Sequence, residues 1–231
     1  MAPRPRITDP HLLPVVSTDG HLPAVAPARL APAALRERFA APPPWEPEFT
    51  GDGRWLDREP RPAAVLVPLV QREGGVTVLL TRRTDHLHDH AGQVSFPGGR
   101  TDPGDPDARH TALREAEEEI GLTPAHVEVL GQLPVYRTGT GYDVTAVVAL
   151  VPTPPRLVLD PFEVAEAFEV PLPFLMNPAH HRRHAFEAFG ETRHFLSMPW
   201  RDPAAGADAP EFFIWGATAA MVRNLYRLLA A

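Results

Sequence analysis

Two apolar runs, with a pair of glycines between them, constrain this chain more than any other feature. Residues 63–70 and 76–81 are rich in β-branched side chains and leucine, and Gln71-Arg72-Glu73-Gly74-Gly75 separates them. Runs of that composition joined through glycines predict a β-hairpin with its turn at Gly74-Gly75. Residues 127–133 and 144–151 read as further strands. The clearest helix opens at Asp105-Pro106, an N-capping carboxylate followed by proline at the first helical position, and runs to Ile120. Gly121 is its expected left-handed stop. Residues 218–229 predict a last amphipathic helix, with Met221, Leu225, Leu228 and Leu229 on its apolar stripe. Strands, a helix, more strands and a closing helix make residues 61–231 a mixed α/β domain.

Residues 1–60 differ in character. They are rich in proline and alanine, and one short helix over 30–39, with Leu35 and Phe39 on one face, ends at Pro42-Pro43-Pro44. This region is expected to be an arm that wraps or trails rather than an independent fold. Cysteine is absent, which excludes disulfides, thiolate metal sites and a cysteine nucleophile. All 22 basic residues are arginine, so neither a Schiff-base lysine nor the lysine of a phosphate-binding loop is available. A net charge of −7 gives no electrostatic footprint for nucleic acid. No apolar run reaches the roughly 18 residues of a membrane span, and Met-Ala-Pro-Arg-Pro-Arg is not a secretion segment. A cytoplasmic protein without membrane or nucleic-acid partners is expected; a homodimer is compatible with the sequence.

The chemistry concentrates in Arg114-Glu115-Ala116-Glu117-Glu118-Glu119-Ile120-Gly121-Leu122. On a helix, Glu115, Glu118 and Glu119 stand at i, i+3 and i+4 and share a face. They fall in the last two turns, where the helix dipole is already negative, so each is opposed by the dipole and by its neighbours. Arg114, four residues before Glu118, is expected to offset one of them. Such a cluster is either a solvated acidic face or a site for a hard divalent cation, Mg²⁺ or Mn²⁺.

The neighbourhood points toward the second. Arg-Glu, an apolar residue, any residue, Glu-Glu, any residue, Gly and an apolar residue end the Nudix box, and residues 114–122 match every fixed position. Gly98-Gly99 matches the glycine pair that opens the box, so the segment resembles that of hydrolases acting on nucleoside diphosphates linked to another group. Where the general box has glutamates after the glycines, this chain has Asp102 and Asp105, and the spacing to Arg114 is one residue longer. Leu79-Leu80-Thr81, Arg83, Gly92 and Phe96-Pro97-Gly98-Gly99 resemble the longer signature of coenzyme A pyrophosphatases. Thr84 stands where Ser or Ala is usual in that signature, and His88 where Arg is usual.

The resemblance implies a Nudix-type α/β/α sandwich with a mixed β-sheet. It implies divalent-metal-dependent pyrophosphohydrolysis, with Glu115, Glu118, Glu119 and the Gly98 carbonyl holding Mg²⁺ or Mn²⁺. Coenzyme A or acyl-coenzyme A would be cut to 3′,5′-ADP and (acyl-)4′-phosphopantetheine. Glu119 and Glu166 are candidate general bases, the latter with Glu163 in a segment expected to start a helix after Pro161; Arg114 would orient Glu118. Arg82, Arg83, Arg100 and His88 are candidate substrate contacts. The rival readings are a Nudix enzyme for ADP-ribose, a nucleotide sugar or a dinucleotide, and a non-catalytic nucleotide or coenzyme A sensor. Asp105 reads as a helix cap and Asp102 as a turn residue; His86, His88 and His90 read as a solvated loop. His180, His181, Arg182, Arg183 and His184 read as an exposed basic loop, and Phe212, Phe213 and Trp215 as core.

Overall fold

Leu69 pairs with Val78 and Arg72 with Gly75, so the two apolar runs close into the antiparallel hairpin expected of them. The computed structural model describes residues 7, 9–52, 59–85, 92–152, 156–188, 190–206 and 208–231. In chain order the first elements are β1 (Val15–Thr18), α1 (Pro32–Ala40), β2 (Arg61–Arg72), β3 (Gly75–Arg83), β4 (Val94–Ser95) and β5 (Gly98–Arg100). Then come α2 (Ala108–Ile120), β6 (Glu128–Gln132), β7 (Tyr136–Arg137), β8 (Tyr142–Val151), β9 (Val164–Pro171) and α3 (Leu172–Leu175). The chain closes with β10 (Arg182–Ala188), β11 (Glu191–Trp200), β12 (Phe212–Trp215) and α4 (Gly216–Ala230).

The larger sheet follows the order β4-β3-β2-β8-β6, with β5, β7 and β9 pairing β2, β8 and β3. It is mixed, because β2 runs parallel to β8 and antiparallel to β3. A smaller antiparallel sheet runs β1-β10-β11-β12. Side chains alternate strictly between two cores. Val67, Leu69, Val78, Leu80, Val148 and Leu150 join one core, which also takes in Leu196, Ile214 and the buried face of α4. Leu66, Val70, Leu79, Val147 and Ala149 join the other, with Ala112, Ala116 and Ile120 of α2. Both faces of β2, β3 and β8 are therefore covered, which is why these strands read as continuous apolar runs instead of alternating ones. The architecture is α/β, with α2 on one face of a mixed sheet; α4 and the smaller sheet cover the other.

Burial of Ile120 and Leu122 stabilises the fold by about 1.5–3 kcal/mol each. That exceeds the several tenths of a kcal/mol that each glutamate costs against the dipole. The apolar stripe can thus seat an acid-rich helix end on the sheet. Gly121 ends α2 with φ 69°, as expected of a left-handed terminator.

Four expectations are corrected. Helix α2 is capped by Asp107, whose side chain accepts from the His110 N–H at 2.9 Å, and not by Asp105. Both oxygens of Asp105 are instead held by Arg114. Residues 161–163 form a turn that leads into β9, not a helix, because Val78 to Arg83 of β3 offer this segment a strand partner. The expected exposed loop at 180–184 is a short turn followed by β10, and His181 and His184 are buried. Arg114 offsets more than one acid, as detailed below.

The N-terminal region is mostly exposed but attached to the body of the fold at several points. β1 pairs with β10, and Val25, Leu30 and Leu35 lie in the first core. Arg29 donates to the carbonyls of Ala230 and Ala231 at the end of α4, at 3.0 and 3.1 Å. The helix expected over 30–39 is α1, and Leu35 is its buried residue. Among the described residues no helix is long and apolar enough to cross a membrane.

Candidate active site

The last two turns of α2 carry Glu115, Glu118 and Glu119 into three different environments. Glu118 is 60% exposed, Glu115 is mostly covered at 16%, and Glu119 is buried. Arg114 ties the cluster together. One of its terminal nitrogens donates to Glu115 Oε1 and Glu118 Oε2, each at 2.9 Å. Its other nitrogens grip Asp105 from two sides at 3.1 and 2.8 Å, and donate to the Arg100 carbonyl at 3.0 Å. A five-donor fork satisfies this many acceptors where an ammonium would not. The Arg114 hydrogen bonds hold the Asp105 carboxyl well below the usual carboxylate range, and the Asp105 contact in turn raises the guanidinium. Asp105 thus acts through Arg114 on the glutamates, a role its sequence position disguised as a helix cap.

Gly98 is sterically required, and Gly99 lies directly against the Glu115 carboxylate. A Cβ on Gly98, whose φ is +155°, would come within 2.4 Å of the Ala64 carbonyl oxygen; one on Gly99 would come within 2.5 Å of Glu115 Oε2. The bare backbone of Gly98 thus packs on β2, and a side chain at Gly99 would displace the Glu115 carboxylate. The Gly98 N–H donates to Glu119 Oε2 at 3.2 Å.

Glu119 is the least compensated group. Burial pushes its carboxyl up to about 8, against Arg83 and the Gly98 N–H, and the charges of Glu163 and Glu115 push the same way. Arg83 stands 3.7 Å from both Glu119 and Glu163, bridging a residue of α2 and one of the turn before β9. Its Nε is buried with no hydrogen-bond partner. Burial likewise raises Glu115 despite its bond from Arg114.

Among the described residues no three acidic or histidine side chains stand as a ready-made metal cage, and Arg114 bridges Glu115 and Glu118. The donor set nonetheless fits a hard divalent cation. It consists of oxygen only, it is crowded, and its buried member has a guanidinium at 3.7 Å as its nearest cationic partner.

The remaining candidates separate by the parity of β3. Arg83 faces α2, whereas Arg82 points to the opposite face, where it pairs with Glu166 at 3.4 Å. There Arg82 lines a cavity of about 220 Å³ with His11, Gln93, Glu211, Phe213 and Trp215; none of the three box glutamates lines it. The later carboxylate on the side of Glu119 is Glu163, not Glu166. Sequence reasoning held both open, and the alternation of Leu79 and Leu80 between the cores is the signal that separates them. Arg100 packs over the Tyr142 ring at 5.5 Å and offers Arg114 its carbonyl. His88, like His86 and His90, lies outside the described residues. Phe212 is core, stacked on Phe168 at 3.6 Å, while Phe213 and Trp215 are half-buried at the cavity.

The sequence model of the NUDIX domain family matches residues 60–189. The protein named "Uncharacterized Nudix hydrolase NudL" of Yersinia pestis (strain Pestoides F) is 42% identical over 166 residues, covering 71% of this chain and 78% of its own. Its namesake in Yersinia pseudotuberculosis serotype O:1b (strain IP 31758) matches to the same extent. Among solved structures, the MutT protein of Methanosarcina mazei Go1 is 26% identical over 52% of this chain and 83% of its own, with a TM-score of 0.41.

Proposed function

The chain belongs to the Nudix family of hydrolases, which act on nucleoside diphosphate derivatives, and from that premise we propose that it cleaves coenzyme A or acyl-coenzyme A. Water adds across the diphosphate bridge, one P–O bond breaks, and the products are 3′,5′-ADP and 4′-phosphopantetheine or its acylated form. The observation that carries this reading is the convergence of the longer signature on one site: Arg83, at the end of Leu79-Leu80-Thr81, stands 3.7 Å from Glu119, which accepts from the N–H of Gly98. Thr81 donates to the Ser95 carbonyl at 3.2 Å and the Arg83 N–H to Gln93 at 3.0 Å, so the two halves of the signature brace one another.

A Mg²⁺ or Mn²⁺ held by Glu115, Glu118, Glu119 and the Gly98 carbonyl would neutralise the diphosphate and acidify the attacking water. The protein's own groups do the rest. Arg83, with an unpaired Nε, is our candidate to bind a phosphate oxygen. Arg114 and Asp105 hold Glu115 and Glu118 in register on α2. Glu163, 3.7 Å from Arg83, is our candidate to accept the proton of the water, with Glu119 as the other carboxylate on that face. Glu166, paired with Arg82 across the sheet, is less suited to that role. The test is Glu163→Gln against Glu166→Gln. The first is expected to lower kcat by about 100-fold or more, a usual size for lost general-base catalysis, and the second to leave it nearly unchanged. The reverse order would return the role to Glu166.

A further inference from the structure

Residues 158–163 lie between the end of α2 and the start of β9 and contain Glu163, which stands 3.7 Å from Arg83. The backbone of this turn is pinned on both sides. The N–H groups of Val158 and Asp160 donate to the carbonyls of Ile120 and Glu119, at 3.1 and 2.9 Å. The Thr84 N–H donates to the Glu163 carbonyl at 3.0 Å, and the Thr84 hydroxyl to the Phe162 carbonyl at 2.9 Å. Within the turn, the Phe162 N–H donates to Asp160 Oδ1 at 2.9 Å. The segment thus caps the acidic end of α2 and is tied to the end of β3, next to Arg83.

Despite this anchoring, Phe162 is 74% exposed and Val158 71% exposed. Single exposed apolar residues are ordinary on protein surfaces. Phe162 is set apart by position: among the described large hydrophobics that are exposed, it is the only aromatic, and it precedes Glu163 directly. The backbone of Phe162, held by hydrogen bonds next to Glu163, is already ordered before any ligand binds. Stacking a planar base on its ring then costs little further ordering. The hydroxyl of Thr84, where the signature has Ser or Ala, is part of the anchor.

We propose that Phe162 is the platform on which the adenine of the substrate stacks. This rests on the reading of the site as one for an adenine-containing diphosphate, and it adds the group that recognises the base. Arg83 and the carboxylates engage the diphosphate, and Phe162 engages the nucleoside end.

The test is calorimetric titration of 3′,5′-ADP into the full chain and into Phe162→Ala, Phe162→Leu and Phe162→Trp, in the presence of Mg²⁺. Because the ring is exposed, melting curves should coincide. Loss of a base–aromatic stack predicts weaker binding by about tenfold or more in the Ala variant, a comparable loss with Leu and retention with Trp. KM for the cleaved diphosphate should rise in step while kcat changes little. Unchanged binding by Phe162→Ala, or equal rescue by Leu and Trp, would overturn the platform. So would a wild-type chain that does not bind 3′,5′-ADP, or an Ala variant altered only in its preference among acyl chains. If coenzyme A is left intact while ADP-ribose is cleaved with the Phe162 effect preserved, the choice of substrate fails and the platform stands. If coenzyme A is cleaved with no dependence on Phe162, the platform fails and the substrate stands.

Discussion

Two charge clusters in this molecule are built from the same residue types. Near β10 and α4, Asp19 and Glu48 of the N-terminal region meet Arg183 and Arg223. At the end of α2, Glu115, Glu118, Glu119, Asp105 and Glu163 share Arg114 and Arg83. In the first cluster acids and guanidiniums are matched. Arg183 grips both oxygens of Asp19 at 2.8 Å, Arg223 donates to Glu48 at 2.7 Å, and Arg223 also donates to His181 Nδ1 at 3.0 Å. Since arginine can only donate, His181 is neutral with its proton on Nε2, which donates to the Leu175 carbonyl at 2.8 Å. In the second cluster acids outnumber cations, one carboxylate is buried with its proton affinity raised, and one guanidinium nitrogen has no partner. The matched cluster closes on itself and ties the N-terminal region to the body of the fold. The unmatched one is left with an excess of negative charge that a divalent cation would complete.

The comparison breaks most sharply on activity. Glu118→Gln should lower turnover by about 100-fold or more while the melting temperature holds, because the carboxylate is exposed and its loss removes charge from an overcrowded helix end. Activity near the wild-type level would remove Glu118 from the site. On the matched side, Arg223→Met should destabilise the fold by about 3–5 kcal/mol, since the buried guanidinium is lost and Asp19 and Glu48 are left to share Arg183 alone. Denaturant titration measures this, and a change under about 1 kcal/mol would mean that the network is not the tie described here.

A smaller effect follows from His181. Burial, with the Arg223 guanidinium nearby, pushes its pKa from 6.5 down to about 4. As pH falls from about 6.5 to 4 the unfolded chain takes up a proton that the folded chain refuses, so stability drops in that window, by up to about 3 kcal/mol. His181→Gln should flatten the slope there without touching the fall below it as Asp19 and Glu48 protonate. The smallest expected effect is that of Arg114→Lys: the fold stays and kcat drops less than in Glu118→Gln, because one ammonium cannot hold Asp105, Glu115 and Glu118 together.

What the sequence disclosed about the fold was mostly local. The hairpin, whose turn falls at Glu73-Gly74, one residue before the expected glycine pair, the stop at Gly121 and the shared face of Glu115, Glu118 and Glu119 depend on residues within a few positions of one another. What escaped it was decided by partners distant in sequence. Asp105 has the residue type and context of a cap, but Arg114 claims both its oxygens and leaves capping to Asp107. The acids after Pro161 suit a helix start until β3 offers the segment a strand partner. His181 and His184 belong to a basic run that reads as solvated. Arg223 lies 42 residues beyond His181, and Ser197, which bonds His184 at 2.7 Å, sits on the neighbouring strand. The Nudix box was legible because its chemistry lies in one contiguous helix and one glycine pair. Glu163 and Phe162, the residues proposed to accept the proton and to meet the base, lie in the turn before β9.

The most direct test of the account is to incubate the protein with coenzyme A, with and without Mg²⁺ or Mn²⁺, and to separate the products chromatographically. Formation of 3′,5′-ADP with metal and none after chelation is the expected result. Equal turnover in chelator would contradict the reading of the unmatched carboxylates as a cation site, and failure to cleave coenzyme A or any other nucleoside diphosphate would contradict the hydrolase itself.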